Sequence, residues 1–143
     1  KTRLVIIGSG EMKDKIISLI NLKKLNSSVK FEGFQKNIFP YLNSSNILVL
    51  PSDTEGMPTV VLEAASVKVP SIVGKWGNDI FPKGTTRVLN ETTSKSIYDS
   101  LEWAYNERTS VSEMGKAVYD YFSVEFGFRN IAKKHISLVR EKF

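Results

Sequence analysis

Residues 51–65 read PSDTEGMPTVVLEAA and directly follow a short apolar run, Ile47–Leu50. Such a run is typical of a buried strand. The polar residues after it predict a loop, and Pro58 predicts the start of a helix because proline is favoured at the first helical position. A strand, a loop and a helix in this order indicate one repeating unit of an α/β fold.

The loop and the predicted helix start form a candidate anion site. Backbone N–H groups in the first turn of a helix have no intrahelical acceptor, and such groups favour a bound phosphate. The candidate N–H donors are those of Gly56, Met57, Thr59 and Val60, and Pro58, which has no N–H, is the expected helix start among these donor-binding residues. We therefore predict that a phosphate group binds at this helix start.

Two carboxylates flank the predicted anion site, Glu55 in the loop and Glu63 on the helix. Ionised carboxylates only accept hydrogen bonds, so they repel phosphate and suit neutral hydroxyl groups. A nucleotide sugar carries hydroxyl-rich groups on both sides of a diphosphate. We predict that Glu63 holds the ribose diol and that Glu55 holds hydroxyls of the sugar.

This arrangement resembles a known family. The pattern Pro51-Ser52-x-x-Glu55-Gly56-x-Pro58-x-x-x-x-Glu63-Ala64 is similar to the Glu-x7-Glu signature of retaining glycosyltransferases of the GT-B fold, family 4. The likeness extends from about Leu4 to about Gly84 and is weaker from there to the end. It includes Gly8-Ser9-Gly10, Val29-Lys30-Phe31-Glu32-Gly33-Phe34, Ser45-Asn46-Ile47-Leu48-Val49-Leu50 and Pro70-Ser71-Ile72-Val73.

The resemblance implies an enzyme that moves a sugar from a UDP- or GDP-linked donor, with retention, onto a glycan or lipid-linked acceptor. Residues 1–143 are then expected to be the single donor-binding domain of a larger two-domain protein, inactive by itself. The missing N-terminal domain would bind most of the acceptor. A missing opening strand and helix would carry an Arg and a Lys that contact the donor phosphates. Glu55 is the candidate catalytic residue, as an orienting group rather than a necessary nucleophile.

Three other segments are candidate donor contacts. Gly8 and Gly10 form a glycine turn after the first strand, although a plain tight turn explains them equally well. The resemblance implies that the segment after the second strand lies against the nucleotide base, while an ordinary surface loop is the alternative. Its residues are Phe34, Gln35 and Lys36. Lys75, in the loop after a later strand, is expected near the donor.

The sequence departs from the family pattern at two places. Lys68 stands where the family usually has a glycine in the left-handed conformation, at a cost on the order of 1 kcal/mol. Asp79 stands near the position of a common Glu. The neighbouring Trp76 is a lid, a stacking surface or a packing residue, and the pattern favours packing.

The order of elements predicts a parallel Rossmann-like sheet covered by helices on both faces, with a helical C-terminal tail. The first strand, Leu4–Ile7, is expected to be buried on both faces. The other predicted strands are Val29–Glu32, Ile47–Leu50, Ser71–Val73 and Thr86–Leu89; the tail helices are Ser94–Asn106 with Ser94 as its cap, Ser110–Phe122 and Phe128–Arg140. Residues that follow the carboxyl ends of the strands are expected to converge at one edge: Gly8, Gly33, Glu55 and Lys75.

Composition narrows the class of protein. The 143 residues carry a net charge of +5 and contain no cysteine and one histidine, His135. This argues against disulfides and a zinc centre, and we expect no cofactor or metal. No apolar run approaches the ~20 residues of a membrane span. The resemblance places the protein in cytoplasmic polysaccharide or glycolipid assembly, with peripheral contact at the inner membrane face as an option.

Three alternatives stay open from the residues alone. An epimerase of the same architecture generally lacks the Glu-x7-Glu arrangement. A receiver-type binding domain needs acidic residues after the first strand, where this chain has Gly8-Ser9-Gly10. A nucleic-acid module fits the positive charge but lacks a basic-aromatic motif, so we expect no nucleic-acid partner.

Overall fold

A computed structural model describes residues 2–56, 58–127 and 130 of the 143-residue chain. Within them lie five strands and six helices, in which strands and helices alternate before a pair of C-terminal helices. All strand pairs are parallel. The predicted α/β class is therefore confirmed. The chain divides into two compact units, Lys1–Ile38 and Phe39–Phe143.

The first unit contains β1 (Leu4–Ile7), α1 (Lys13–Leu22) and β2 (Val29–Gly33). β1 and β2 pair from Leu4 opposite Val29, with a register shift after Ile6. Gly8 has a φ of 137° and Gly33 a φ of 70°, values that glycine adopts readily. The Gly8 N–H donates to the Gly33 carbonyl over 2.8 Å. The turns that follow the two strands are thus tied together.

The expected burial of β1 on both faces is wrong. Leu4 is 48% exposed and Val5 is 41% exposed. β2 is the strand that pairs with β1 in this two-stranded sheet, and one neighbour covers too little of the strand to bury it. The apolar, β-branched run correctly predicts a strand, but a run of this kind does not report how many neighbours the strand has.

The second unit holds a three-stranded sheet in the order β3-β4-β5. The central strand, β4 (Ser71–Val73), is buried at every residue, as expected for a strand between two parallel neighbours. The other elements are α2 (Phe39–Asn43), β3 (Leu48–Leu50), α3 (Thr59–Ser66), α4 (Gly77–Ile80), β5 (Arg87–Val88), α5 (Ser94–Asn106) and α6 (Arg108–Glu125). α3 packs against β3, β4 and α6.

The core of the second unit joins α3, β4, α4 and α6. Its buried members are Val61, Ala65, Val73, Trp76, Phe81, Val118 and Phe122. The ring centres of Trp76 and Phe81 are 5.9 Å apart and those of Phe81 and Phe122 are 5.7 Å apart, both edge to face. This arrangement suits aromatic quadrupoles. Four apolar residues at helical spacing are buried on α6, the second tail helix: Val111, Met114, Val118 and Phe122.

Helix α4 lies where the sequence predicts a long polar loop, so that prediction is wrong. Its turn is built from N–H donors at Gly77, Asn78 and Asp79, each bonded to the carbonyl three residues earlier. One turn is too short to show helical periodicity in a sequence. Its formation follows from the burial of Trp76 and Phe81, the residues on either side of it.

Two helix starts differ from prediction by single residues, whereas α6 begins two residues before and ends three residues after the predicted bounds, Ser110–Phe122. Thr93, rather than Ser94, caps α5: its side chain accepts from the Ser96 N–H over 3.2 Å. Pro58 precedes α3 instead of occupying its first turn. Both caps are one residue from their predicted positions, within the usual uncertainty of helix boundaries. The predicted helix Phe128–Arg140 and His135 lie outside the described residues.

The turn between α3 and β4 rests on α6. Lys68 has a φ of 62°, so lysine takes the left-handed position where the family has glycine. Its Nζ lies 4.8 Å from the centre of the Tyr119 ring, a cation–π contact. A Cβ on Gly115 would lie 2.2 Å from the Lys68 carbonyl oxygen. Gly115 therefore permits the close approach of this turn to α6.

We expect Gly115→Ala to lower the free energy of unfolding by roughly 1–3 kcal/mol, because the new methyl group overlaps the Lys68 carbonyl. In an exposed helix interior the same change stabilises by about 1 kcal/mol. Urea unfolding measures the difference. Ala117→Gly, at an exposed position of the same helix, is the control and should cost about 1 kcal/mol. Stabilisation by Gly115→Ala would contradict the packing described here.

Candidate functional site

The first turn of α3 carries backbone N–H groups that no described residue accepts. Pro58 is the N-cap, with extended backbone angles, and its carbonyl accepts the Val61 N–H over 3.0 Å. Among the described residues, none accepts the N–H groups of Thr59 and Val60. Gly56 is exposed, and Met57 lies outside the described residues. Free donors at a helix start are the arrangement that binds anions, and the phosphate itself stays a prediction.

Glu55 is held by a neighbour in its own loop. The Ser52 hydroxyl donates to Glu55 Oε1 over 2.7 Å, and both residues are partly buried. A hydrogen bond to an ionised carboxylate is roughly twice as strong as one between neutral groups. In the described part of the chain, Glu55 Oε2 has no hydrogen-bond partner. One carboxylate oxygen is thus fixed and the other is available to a ligand.

A second loop meets this one at the Ser52 carbonyl. The Trp76 Nε1–H donates to it over 2.9 Å, across 24 positions of the chain. A Cβ on Gly74 would lie 2.0 Å from the same oxygen, so glycine is required where the loops touch. Trp76 is 8% exposed, which confirms the packing interpretation of this residue. The loops after β3 and β4 are therefore joined at a single atom.

Sequence reasoning missed the roles of Ser52 and Trp76 at this junction. For Ser52 the only signal was its position three residues before Glu55, which keeps the two side chains within reach in a tight loop but does not by itself predict a bond between them. For Trp76 the sequence holds no comparable signal. Its bond depends on the pairing of Leu50 with Val73, which places the two loops side by side.

Glu63 lies on α3 and is partly buried. Among the described residues, its carboxylate has no hydrogen bond or ion pair, while its backbone carbonyl accepts from the Ser66 hydroxyl over 2.7 Å. The next two residues, Ala64 and Ala65, are fully buried. The helix is thus anchored beside Glu63 while the carboxylate remains free to accept a hydrogen bond.

Lys75 follows β4 and is exposed.

The remaining predicted contacts belong to the first unit. Gly8 and Gly10 line a cavity of about 210 Å³ together with Lys13. Phe34 is 74% exposed, and Lys36 is also exposed. The side-chain nitrogen of Gln35, Nε2, donates to the backbone carbonyl of Glu32 over 2.9 Å. This bond fixes the Gln35 side chain against the strand that precedes it. Contact with a base and convergence with Glu55 and Lys75 stay predictions.

The described residues contain neither a cluster of metal-ligating side chains nor a helix that could span a membrane. Nowhere in residues 2–56, 58–127 and 130 do three His, Cys, Asp or Glu side chains group so that they could hold a metal ion. None of the helices in that same part of the chain has the length and apolar character to cross a membrane. The expectation that the protein needs no cofactor stays a prediction.

Residues 1–107 match the family model of the glycosyl transferases group 1. The chain belongs to this family. The match covers both the glycine turn after β1 and the segment from Ser52 to Glu63. Family membership favours the glycosyltransferase interpretation over the epimerase, receiver-type and nucleic-acid-binding alternatives.

Relatives of this chain are known from archaea and bacteria. It is 44% identical over 70 residues to an uncharacterised glycosyltransferase of Methanocaldococcus jannaschii, which covers 49% of the chain and 17% of the relative. It is 30% identical over 134 residues to the Vi polysaccharide biosynthesis protein VipC/TviE of Salmonella typhi, which covers 87% of the chain and 23% of the relative. The chain thus spans about a fifth of the length of these curated relatives.

A solved structure shares the fold. The crystal structure of Anabaena HepE in complex with UDP superimposes with a TM-score of 0.82 at 15% identity. The likeness covers 98% of this chain and 41% of HepE. At this identity the comparison supports the fold of the chain alone, and it extends beyond residues 1–107, which the family model matches.

We expect Gly74→Ala to lower the free energy of unfolding by roughly 1–3 kcal/mol, because the added methyl group overlaps the Ser52 carbonyl. Thermal unfolding measures the loss. Gly56→Ala is the matched control. Gly56 lies in the loop that Gly74 contacts, and a Cβ at Gly56 would meet no atom within 4 Å. Equal stability of the two variants would show that the loops do not touch as described.

Proposed function

We propose that this chain binds the nucleotide diphosphate of a UDP- or GDP-linked sugar, as the donor-binding part of a retaining glycosyltransferase. The observation that carries the proposal is the start of α3, where the N–H groups of Thr59 and Val60, Glu55 Oε2 and the Glu63 carboxylate all lack a hydrogen-bond partner among the described residues, in a member of the group 1 family. The UDP complex of HepE, a protein of the same fold, supports the choice of ligand.

Each part of the site has a task in sugar transfer. The N–H groups of Thr59 and Val60 stabilise the diphosphate as negative charge develops on the leaving group. Glu63 accepts hydrogen bonds from the ribose diol. Glu55 accepts through Oε2 from a hydroxyl of the sugar and so orients the donor. Lys75 adds positive charge near the diphosphate.

The acceptor is a glycan or a lipid-linked glycan, bound mainly by an N-terminal domain of the full-length protein. The small share of each relative that the chain spans, 17% and 23%, supports a second domain of this kind. The isolated donor-binding domain is then inactive as a transferase. The similarity to a polysaccharide biosynthesis protein supports a role in polysaccharide assembly, which we place in the cytoplasm, with peripheral contact at the inner membrane face as an option.

Glu63→Ala tests the nucleotide site. We expect the affinity for the nucleoside diphosphate to fall by on the order of 1.5–3 kcal/mol, because a charged acceptor is lost. Calorimetric titration of the full-length protein with UDP, GDP, ADP and TDP identifies the base and measures the loss. Stability should change little, because the Glu63 carboxylate has no bonding partner in the described part of the chain.

Glu113→Ala is the control, since Glu113 is exposed on α6 and plays no part in the site. Two results would contradict the proposal: undiminished nucleotide affinity in Glu63→Ala, or loss of the folded state in that variant, which would make Glu63 a structural residue.

A further inference from the structure

We propose that Ser52 and Trp76 are positioning residues, which together hold Glu55 in the orientation that receives the donor sugar. The inference rests on the proposed function. It adds two residues that touch neither the nucleotide nor the sugar in that proposal and that act through Glu55.

The first link is the Ser52 hydroxyl. It donates to Glu55 Oε1 over 2.7 Å, which restrains the carboxylate and leaves Oε2 without a hydrogen-bond partner among the described residues. A glutamate side chain in a loop otherwise loses considerable rotamer freedom when a ligand orders it. Fixing the carboxylate beforehand reduces that loss on binding. Ser52 therefore prepares Glu55 to accept a sugar hydroxyl.

The second link is the Trp76 indole. Its Nε1–H bonds to the Ser52 carbonyl over 2.9 Å, and its ring packs edge to face on Phe81. Phe81 packs in turn on Phe122 of α6. These contacts fix the direction of the indole N–H. The backbone of Ser52 is thus located relative to the core of the unit rather than by its own loop alone.

The sheet register and Gly74 make the contact possible. Leu50 and Val73 are paired across β3 and β4, so the two loops leave adjacent strands at the same level. A Cβ at Gly74 would lie 2.0 Å from the Ser52 carbonyl oxygen and 2.9 Å from Trp76 Nε1. The absence of a Cβ at this position therefore leaves room for the hydrogen bond between these two atoms. An unbroken series of contacts therefore connects the aromatic core to Trp76, Trp76 to Ser52, and Ser52 to Glu55.

The test compares binding of a nucleotide with binding of a nucleotide sugar. The full-length protein is titrated with UDP, GDP, ADP and TDP and with UDP-glucose, UDP-galactose, UDP-N-acetylglucosamine, GDP-mannose, ADP-glucose and TDP-glucose. Ser52→Ala removes the hydroxyl, Ser52→Thr retains one, and Trp76→Phe removes the indole N–H while keeping an aromatic ring. Trp103→Phe is the matched control. Trp103 lies on α5, where its ring stacks under the guanidinium group of Arg87, and it is not one of the site residues.

We expect all four variants to bind the preferred diphosphate within about twofold of the unmodified protein. Affinity for the preferred nucleotide sugar should fall about five- to tenfold in Ser52→Ala and Trp76→Phe, the effect of losing one hydrogen bond. Ser52→Thr and Trp103→Phe should retain it. Because Trp76 acts through Ser52, the double variant Ser52→Ala/Trp76→Phe should bind no more weakly than the weaker single variant.

The outcomes separate the two proposals. If no nucleotide or nucleotide sugar binds the unmodified protein, the proposed function fails and this inference fails with it. If the diphosphate binds but Ser52→Ala retains full affinity for the nucleotide sugar, the positioning role is overturned while the proposed function stands. Should Trp76→Phe fail to fold, Ser52→Ala and its Ser52→Thr rescue decide the result alone, because the serine change leaves the aromatic core intact.

Discussion

The hydrogen bond from the Trp76 indole to the Ser52 carbonyl is the contact on which the candidate site depends. It joins the loops that follow two paired strands, and its donor belongs to the aromatic core. The same tryptophan therefore serves both packing and the geometry of the site. A change in the core beneath the site is transmitted to Glu55 through one backbone carbonyl, since interiors are close-packed and transmit strain.

Helix α3 is placed by burial rather than by its own length. It has eight residues, too few to be stable in isolation, and Val61, Ala64 and Ala65 are fully buried. Small side chains let the helix lie close to the sheet. Because the buried side of α3 is fixed, the N–H groups at its start and the Glu63 carboxylate keep their relation to each other. Folding of the second unit thus forms the proposed anion site directly.

The sequence alone predicts the class of the fold and the position of several of its elements. β1, β4 and α5 have their predicted bounds, whereas the cost of a left-handed lysine predicts a different turn at Lys68, which in fact keeps the left-handed conformation of the family glycine. Local patterns carry such information because each depends on neighbouring residues. The exposure of β1 and the Trp76–Ser52 bond were not predictable, since both depend on which distant segments lie alongside. The roles of the predicted donor contacts rest on ligand chemistry that a chain without its ligand does not display.

The account depends most on the claim that the start of α3 binds a nucleotide diphosphate. A crystal structure of the full-length protein with its preferred nucleoside diphosphate tests this directly. We predict phosphate oxygens within hydrogen-bond distance of the Thr59 and Val60 N–H groups, with the ribose hydroxyls on the Glu63 carboxylate. A diphosphate bound away from α3, or a ribose that leaves Glu63 without a contact, would contradict the account.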